Sequence, residues 1–317
     1  MKKIGITFTP MTDEHLSKIK SVAPDYELMV AEYNDEKLKD CEIVFGPMSP
    51  KLVSESPKLK WLHIQWAGAD SVLKTKYAFP EHVILTNSSG SYGITISEYL
   101  LTISLMLMRK MNEYVLQQQK CLWQRLGKEK SIYGSTICVL GLGDIGESFA
   151  QRCKALGAAS IKAVVRTKRP SKPDFVDELF TVEHLKEAVS DADLVAICMP
   201  GTSETFGLIN KDILQSMKKG VILLNIGRGT IVDTNALIEE LESGHIGAAG
   251  LDVTDPEPLP ADSPLWKMHN VMITPHVSGN NTLDVTNDLG VEKFVKYLED
   301  YIANRPFERV VDKTLGY

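Results

Sequence analysis

The sequence predicts an α/β protein made of two doubly wound parallel-sheet domains. Short apolar runs alternate with helix-length polar segments from Ile4 to Thr86, and the same alternation returns from Ser135 to Ser278. Between them lies a long, strongly apolar stretch with helical spacing. At 317 residues the chain has room for about two domains of roughly 100–200 residues each. It shows no repeat, low-complexity segment or Gly/Ser linker, so the domains are expected to join through helices.

The first alternation offers strands at Ile4–Thr7, Tyr26–Val30, Ile43–Gly46, Leu62–Gln65 and Val83–Thr86, with helices at Asp13–Ser21 and Asp35–Lys39. A long helix is predicted from about Ile94 to Lys120, because Leu100, Ile103, Leu107 and Met111 recur every three or four residues. It is apolar around much of its girth, so it needs cover from the second domain and from another subunit. The second alternation offers six strands, at Thr136–Leu140, Ile161–Val165, Leu194–Cys198, Val221–Asn225, Ala248–Asp252 and Val271–Thr274. Such a set suits a dinucleotide-binding sheet. From Asp284 to Gly316 the chain reads as a helix followed by an extended stretch.

Composition narrows the function. A hydrophobic fraction of 44% supplies an ordinary globular core, and a formal net charge of −6 argues against nucleic-acid or anionic-membrane partners. The start, Met1 to Phe8, lacks the apolar core of a signal peptide, and Tyr99–Met108 is too short to span a bilayer. Cys41, Cys121, Cys138, Cys153 and Cys198 have no C-x-x-C spacing, which predicts neither disulfides nor a metal site and points to the cytoplasm.

The chemistry-bearing segments lie at strand ends. Gly141-Leu142-Gly143-Asp144-Ile145-Gly146 follows an apolar strand and opens a helix, the setting a G-x-G-x-x-G turn needs to seat a dinucleotide. Gly141 permits the tight turn, Gly143 lets the pyrophosphate approach, and Gly146 permits close helix packing. A purely structural turn is the bland alternative. Twenty residues beyond Gly146, where an acidic residue would hold the ribose diol, stands Arg166-Thr167-Lys168-Arg169. Three cations there attract a 2′-phosphate, unless they form only a solvated loop.

Arg228 stands between two glycines just past Val221–Asn225, placed to grip a carboxylate with bidentate geometry. Glu257 lies between Pro256 and Pro258 in a stiffened acidic loop, a suitable preorganised partner. His276 ends another strand, and the other six histidines read as surface or packing residues. Each of the three has a commonplace reading, as a surface salt bridge, a turn acid and a structural histidine. Their order along the chain favours a common site.

Together these segments resemble the D-isomer-specific 2-hydroxyacid dehydrogenase family over nearly the whole chain. The matching residues are Ser97-Glu98-Tyr99, Trp123, Gly134, Gly141–Gly146, Asn225–Gly229, Asp252-Val253, Glu257–Pro260, Pro275-His276, Asn304-Arg305-Pro306, Val310–Asp312 and Gly316-Tyr317. The resemblance implies a Rossmann-like cofactor domain (93–283) inserted into a flavodoxin-like substrate domain (1–92 and 284–317), and a homodimer built around the long helix. It implies reversible reduction of small 2-oxo acids to D-2-hydroxy acids. Arg228 would bind the substrate carboxylate, His276 would exchange the proton, and Glu257 would hydrogen-bond His276. Asp252 would face the nicotinamide carboxamide, and Ala67-Gly68-Ala69 would offer backbone N–H groups to the carboxylate. Met48, Ser49 and Trp66 would border the side-chain pocket, which admits anything from glyoxylate or hydroxypyruvate to bulkier acids. Further cofactor contacts are expected at Met199, Pro200, Thr205, Ile226, Gly227, Ser278 and Gly279.

Two departures bear on this. Arg166 replaces the family's commoner aspartate, favouring NADP(H) over NAD(H), and Ile226-Gly227 replaces a more usual small or polar pair. Two rival readings share the scaffold. One is a non-catalytic, corepressor-like dinucleotide sensor, disfavoured by the intact Arg228, Glu257 and His276 set. The other is a formate dehydrogenase, which would pair its histidine with glutamine.

Overall fold

The computed structural model describes residues 2–279 and 283–314 and divides into two compact units. Unit one contains the chain up to Tyr92 and the part after Gly279, and unit two runs from Gly93 to Gly279. The terminal Gly316-Tyr317 lies outside the described residues. Among the described residues no helix is long and apolar enough to cross a membrane.

Unit one has strands β1 (Lys2–Ile6), β2 (Tyr26–Val30), β3 (Ile43–Phe45), β4 (Trp61–Ile64) and β5 (Ile84–Asn87), with helices α1 (Asp13–Val22), α2 (Pro50–Ser54) and α3 (Asp70–Leu73). All pairings are parallel, in the order β2-β1-β3-β4-β5, the flavodoxin-like arrangement. The predicted helix at Asp35–Lys39 is a 3₁₀ turn, Glu36–Asp40. Alternation along each strand splits the core into two faces: Ile43 and Phe45 join one apolar cluster, and Val44 joins the other.

The first face is closed by the chain's return as helix α10 (Asp284–Ile302). Phe294 from this helix stacks on Phe45 at 4.0 Å between ring centroids and on Trp61 at 5.1 Å. Burying each such aromatic contributes about 1.5–3 kcal/mol, which anchors the tail to unit one.

Beneath these rings a polar chain is fully satisfied. Trp61 Nε1 donates to Thr86 Oγ1 at 2.8 Å, and the same hydroxyl lies 2.7 Å from His63 Nδ1. The threonine proton therefore goes to Nδ1, leaving Nε2–H for Ser88 Oγ at 3.1 Å. Burial, aided by the Lys293 cation, pushes the His63 pKa down to about 3, so this histidine is neutral.

Unit two has helices α4 (Gly93–Met108), α5 (Met111–Gln119), α6 (Asp144–Ala155), α7 (Leu185–Val189), α8 (Lys211–Ser216) and α9 (Thr234–Glu242), which complete the series that α10 ends. Its strands are β6 (Thr136–Leu140), β7 (Ser160–Val165), β8 (Glu178–Thr181), β9 (Leu194–Ile197), β10 (Val221–Asn225), β11 (Ile246–Leu251) and β12 (Val271–Ile273). They form one parallel sheet in the order β12-β11-β10-β9-β6-β7-β8. The direction of strand succession reverses between β6 and β9, which makes that gap the switch point where ligands enter.

Two expectations are corrected. The sheet has seven strands, because the partly exposed edge strand Glu178-Leu179-Phe180-Thr181 carries no continuous apolar run. The long helix is two helices, broken where Lys110 takes a left-handed φ of 54°. Leu107 and Met111 keep their four-residue spacing across the break, so periodicity could not show it. Cover for α4 comes partly from the sheet. A Cβ at Gly250 would clash with Ile103 Cγ2, so this strand is glycine where α4 crosses it.

Candidate active site

The glycine turn sits beside the switch point. Gly141 has φ +99°, and a Cβ there would fall 2.8 Å from the Met199 backbone nitrogen. A side chain at Gly146 would overlap the Gly141 carbonyl. Gly143 is different: nothing lies within 4 Å of where its Cβ would be. It is the N-cap of α6 and contributes no side-chain cap. Open space at a helix N-terminus, where the helix dipole is positive, fits a pyrophosphate.

At the end of β7, Arg166, Thr167, Lys168 and Arg169 are all exposed. Arg169 folds back on the turn, its Nη2 donating to the Leu142 carbonyl and its Nη1 lying 3.0 Å from Glu147 Oε1. A cavity of about 230 Å³ opens beside this loop, lined by Val165, Lys168, Arg169 and Phe180 among others.

Strand ends β9 and β10 converge on the same place. A Cβ at Gly227 would lie 2.5 Å from the Met199 carbonyl, and one at Gly201 would lie 2.6 Å from Arg228 Cγ. The Arg228 stem therefore runs over a glycine. Its Nη1 donates to the Gly227 carbonyl at 2.7 Å. Asn225 ties this loop, accepting from Gly227 N and donating to the Arg228 carbonyl, both at 3.0 Å.

Glu257 and His276 meet. His276 Nδ1 and Glu257 Oε2 are 3.1 Å apart, and both side chains are roughly half exposed. Since a carboxylate only accepts, Nδ1 carries the proton toward Glu257 and Nε2 is the outward nitrogen. His276 has φ 53°, a left-handed conformation that a histidine seldom adopts. Its N–H donates to the Asp252 carbonyl at 2.9 Å. Such backbone outliers persist where surrounding structure over-determines them.

Asp252 over-determines this one. The residue is 1% exposed, and its carboxylate accepts from Thr274 Oγ1 (2.6 Å), Val277 N (2.8 Å) and Ser278 N (3.0 Å). Tyr99 Oη, from α4, lies 2.5 Å from Thr274 Oγ1.

The sequence profile of the D-isomer specific 2-hydroxyacid dehydrogenase NAD-binding domain matches residues 101–278. The chain belongs to the D-isomer specific 2-hydroxyacid dehydrogenase family. Its relatives include a glyoxylate reductase of Korarchaeum cryptofilum, 31% identical over 256 residues, covering 77% of this chain and 75% of that protein. A family member from Aeromonas salmonicida superposes with a TM-score of 0.85 at 30% identity, covering 98% of this chain and 99% of the other. One from Xanthobacter autotrophicus, solved with NADPH and MES, gives 0.82 at 25% identity, covering 100% and 99%. As a 2-hydroxyacid dehydrogenase, this protein is a nicotinamide-dinucleotide-dependent oxidoreductase of small hydroxy and oxo acids.

The remaining expected site residues of this dehydrogenase fall in two groups. Met199, Pro200, Ile226, Gly227, Ser278 and Gly279 line the strand ends around the glycine turn or the His276 loop. Thr205 is engaged locally, its hydroxyl donating to the Pro200 carbonyl and accepting from Thr202 N, both at 2.8 Å. In unit one, Ala67, Gly68 and Ala69 follow β4, and Asn87 Nδ2 donates to the Ala67 carbonyl at 2.6 Å. Met48 is buried, 3% exposed, in the apolar cluster on one face of the unit-one sheet. Thr274 and Gly201 had no role in the sequence reading, and Tyr99 entered it only as a matching residue. Gly201, four residues past β9, was the one local signal for the Arg228 stem.

Proposed function

We propose that this dehydrogenase reversibly reduces small 2-oxo acids to D-2-hydroxy acids, with NADPH preferred over NADH. The 3.1 Å pairing of His276 Nδ1 with Glu257 carries the reading, because it turns Nε2 outward as a proton donor.

When bound, the reduced nicotinamide supplies hydride to C2 of the substrate. Arg228 pairs with the substrate carboxylate through its planar fork and so fixes C2. As negative charge develops on the carbonyl oxygen, His276 donates its Nε2 proton there and Arg228 stabilises the charge. Glu257 sets the tautomer and opposes the imidazolium charge. Asp252 retains lone-pair capacity for the nicotinamide carboxamide beyond its three internal bonds.

The cofactor preference rests on the loop after β7, where Arg166-Thr167-Lys168-Arg169 includes no acidic residue to hold the ribose diol. Arg169 is engaged with Leu142 and Glu147, and the exposed Arg166, Thr167 and Lys168 at the end of β7 are assigned to the 2′-phosphate. A homodimer is part of the reading, supported by exposed Leu105, Met111, Val115, Leu116, Leu122 and Trp123 along and after α4 and α5. A cytoplasmic location is also proposed, on the scattered cysteines.

The test is a panel of glyoxylate, hydroxypyruvate and bulkier 2-oxo acids with NADPH and NADH, plus formate with the oxidised cofactors. Oxidation of NADPH by a 2-oxo acid supports the proposal. Turnover of formate alone would make it a formate dehydrogenase, and tight dinucleotide binding without turnover would make it a sensor.

A further inference from the structure

Asp252, Thr274 and Tyr99 form a directed chain of hydrogen bonds that ends on the backbone of the His276 loop. Directions follow from counting protons. An ionised carboxylate only accepts, so the single Thr274 hydroxyl proton goes to Asp252 Oδ1, 2.6 Å away. Thr274 Oγ1 can then only accept across its 2.5 Å contact with Tyr99 Oη, so the phenol is the donor. Burial pushes the Tyr99 pKa up to about 12, which keeps that phenol protonated. On the far side, the carboxylate takes the Val277 and Ser278 N–H groups, and the Asp252 carbonyl takes the His276 N–H.

Both ends of the chain are anchored. Asp252 directly follows β11, and its own N–H is held by the Asn225 carbonyl at 3.0 Å. Tyr99 sits on α4, which is seated on the same sheet through Ile103 and Leu107 against Gly250. The chain therefore runs from a packed helix to the one loop in which histidine must hold φ 53°. Left-handed backbone costs of order 1–3 kcal/mol for such a residue, and the hydrogen bonds on either side of it help to offset that cost. None of the three side chains needs to touch a substrate for this effect.

We propose that Tyr99 and Thr274 are positioning residues for His276, fixing the Asp252 carboxylate so that it clamps residues 276–278. The consequence for catalysis rests on the function proposed above. The consequence for His276 geometry does not.

Tyr99→Phe and Thr274→Val each delete one hydroxyl and keep the shape, whereas Thr274→Ser keeps the hydroxyl. The first readout is the ring signals of His276 in NMR spectra of the cofactor-free protein, assigned by their loss in His276→Ala. Both deletions should shift or broaden these signals, and Thr274→Ser should leave them in place. The second readout is kinetic. With KM within about threefold of wild type, kcat should fall about 10–50-fold in Thr274→Val and about three- to tenfold in Tyr99→Phe, the scale of sub-ångström misplacement. Thr274→Ser should recover most of the loss. Unchanged His276 signals in both Tyr99→Phe and Thr274→Val would overturn the proposal, whatever the protein reduces. If wild-type protein reduces no 2-oxo acid, the functional reading fails and the spectra still decide this one.

Discussion

Gly229 lies directly on the backbone of Thr254: a Cβ at Gly229 would overlap the Thr254 carbonyl group. This contact joins the loop that carries Arg228 to the loop that carries Glu257. Thr234 adds to it, its hydroxyl donating to the Asp255 carbonyl at 3.3 Å. The two strand-end loops therefore have a fixed separation set by one missing methyl group.

Gly229→Ala should consequently damage function more than its size implies. The added methyl meets backbone on the facing loop, which has no flexible side chain to yield, so the loops must part. Catalytic efficiency should fall about 100-fold, with a folding loss of about 1–3 kcal/mol. Steady-state kinetics and a denaturation curve on the same preparation check both.

Arg228→Lys retains the charge and loses the planar fork. It should raise KM for the 2-oxo acid and lower kcat together, each by about tenfold or more. A variant altered only in thermal stability would show that Arg228 serves the loop and not the substrate.

Cofactor choice is tested by Arg166→Asp. Losing one charge-assisted hydrogen bond of about 1.5–3 kcal/mol should cost NADPH at least about tenfold in kcat/KM. NADH should perform as well or better. The comparison needs both cofactors, both proteins and one fixed salt concentration. A wild-type preference for NADH would show that the loop serves only solvent.

His63 makes a prediction about acid stability. Its folded pKa is lowered to about 3 by burial, while the unfolded chain titrates near the ordinary value of 6.5. Between these values the unfolded state binds the extra proton, so stability falls as pH drops below about 6.5. The group contributes a slope of about 1.4 kcal/mol per pH unit in that window. Urea unfolding at pH 7 and pH 5 should show a wild-type loss about 2 kcal/mol larger than that of His63→Gln. Equal losses would mean that His63 is not held neutral.

Much of the fold was legible because buried parallel strands are continuous apolar runs. Tyr26–Val30, Thr136–Leu140 and Val221–Asn225 appear at the residues expected. The edge strand at Glu178 was not legible, because one side of an edge needs no apolar residue. The pairing of Glu257 with His276 was expected from the sequence, where the strand-end position of His276 singled it out. The brace from Tyr99 to Thr274 was not, because its partners are 175 positions apart and neither residue type is unusual alone. Likewise the docking of Arg169 on Leu142 depends on how the β7 loop folds back, which no local spacing encodes.

His276 is proposed as the proton donor in reduction of a 2-oxo acid. The direct measurement is kcat for NADPH-driven reduction in wild type and His276→Ala, alongside the Kd for the cofactor. kcat should fall by about 10²–10⁴, the usual worth of general acid catalysis, with Kd nearly unchanged. Near-normal turnover by His276→Ala would contradict it.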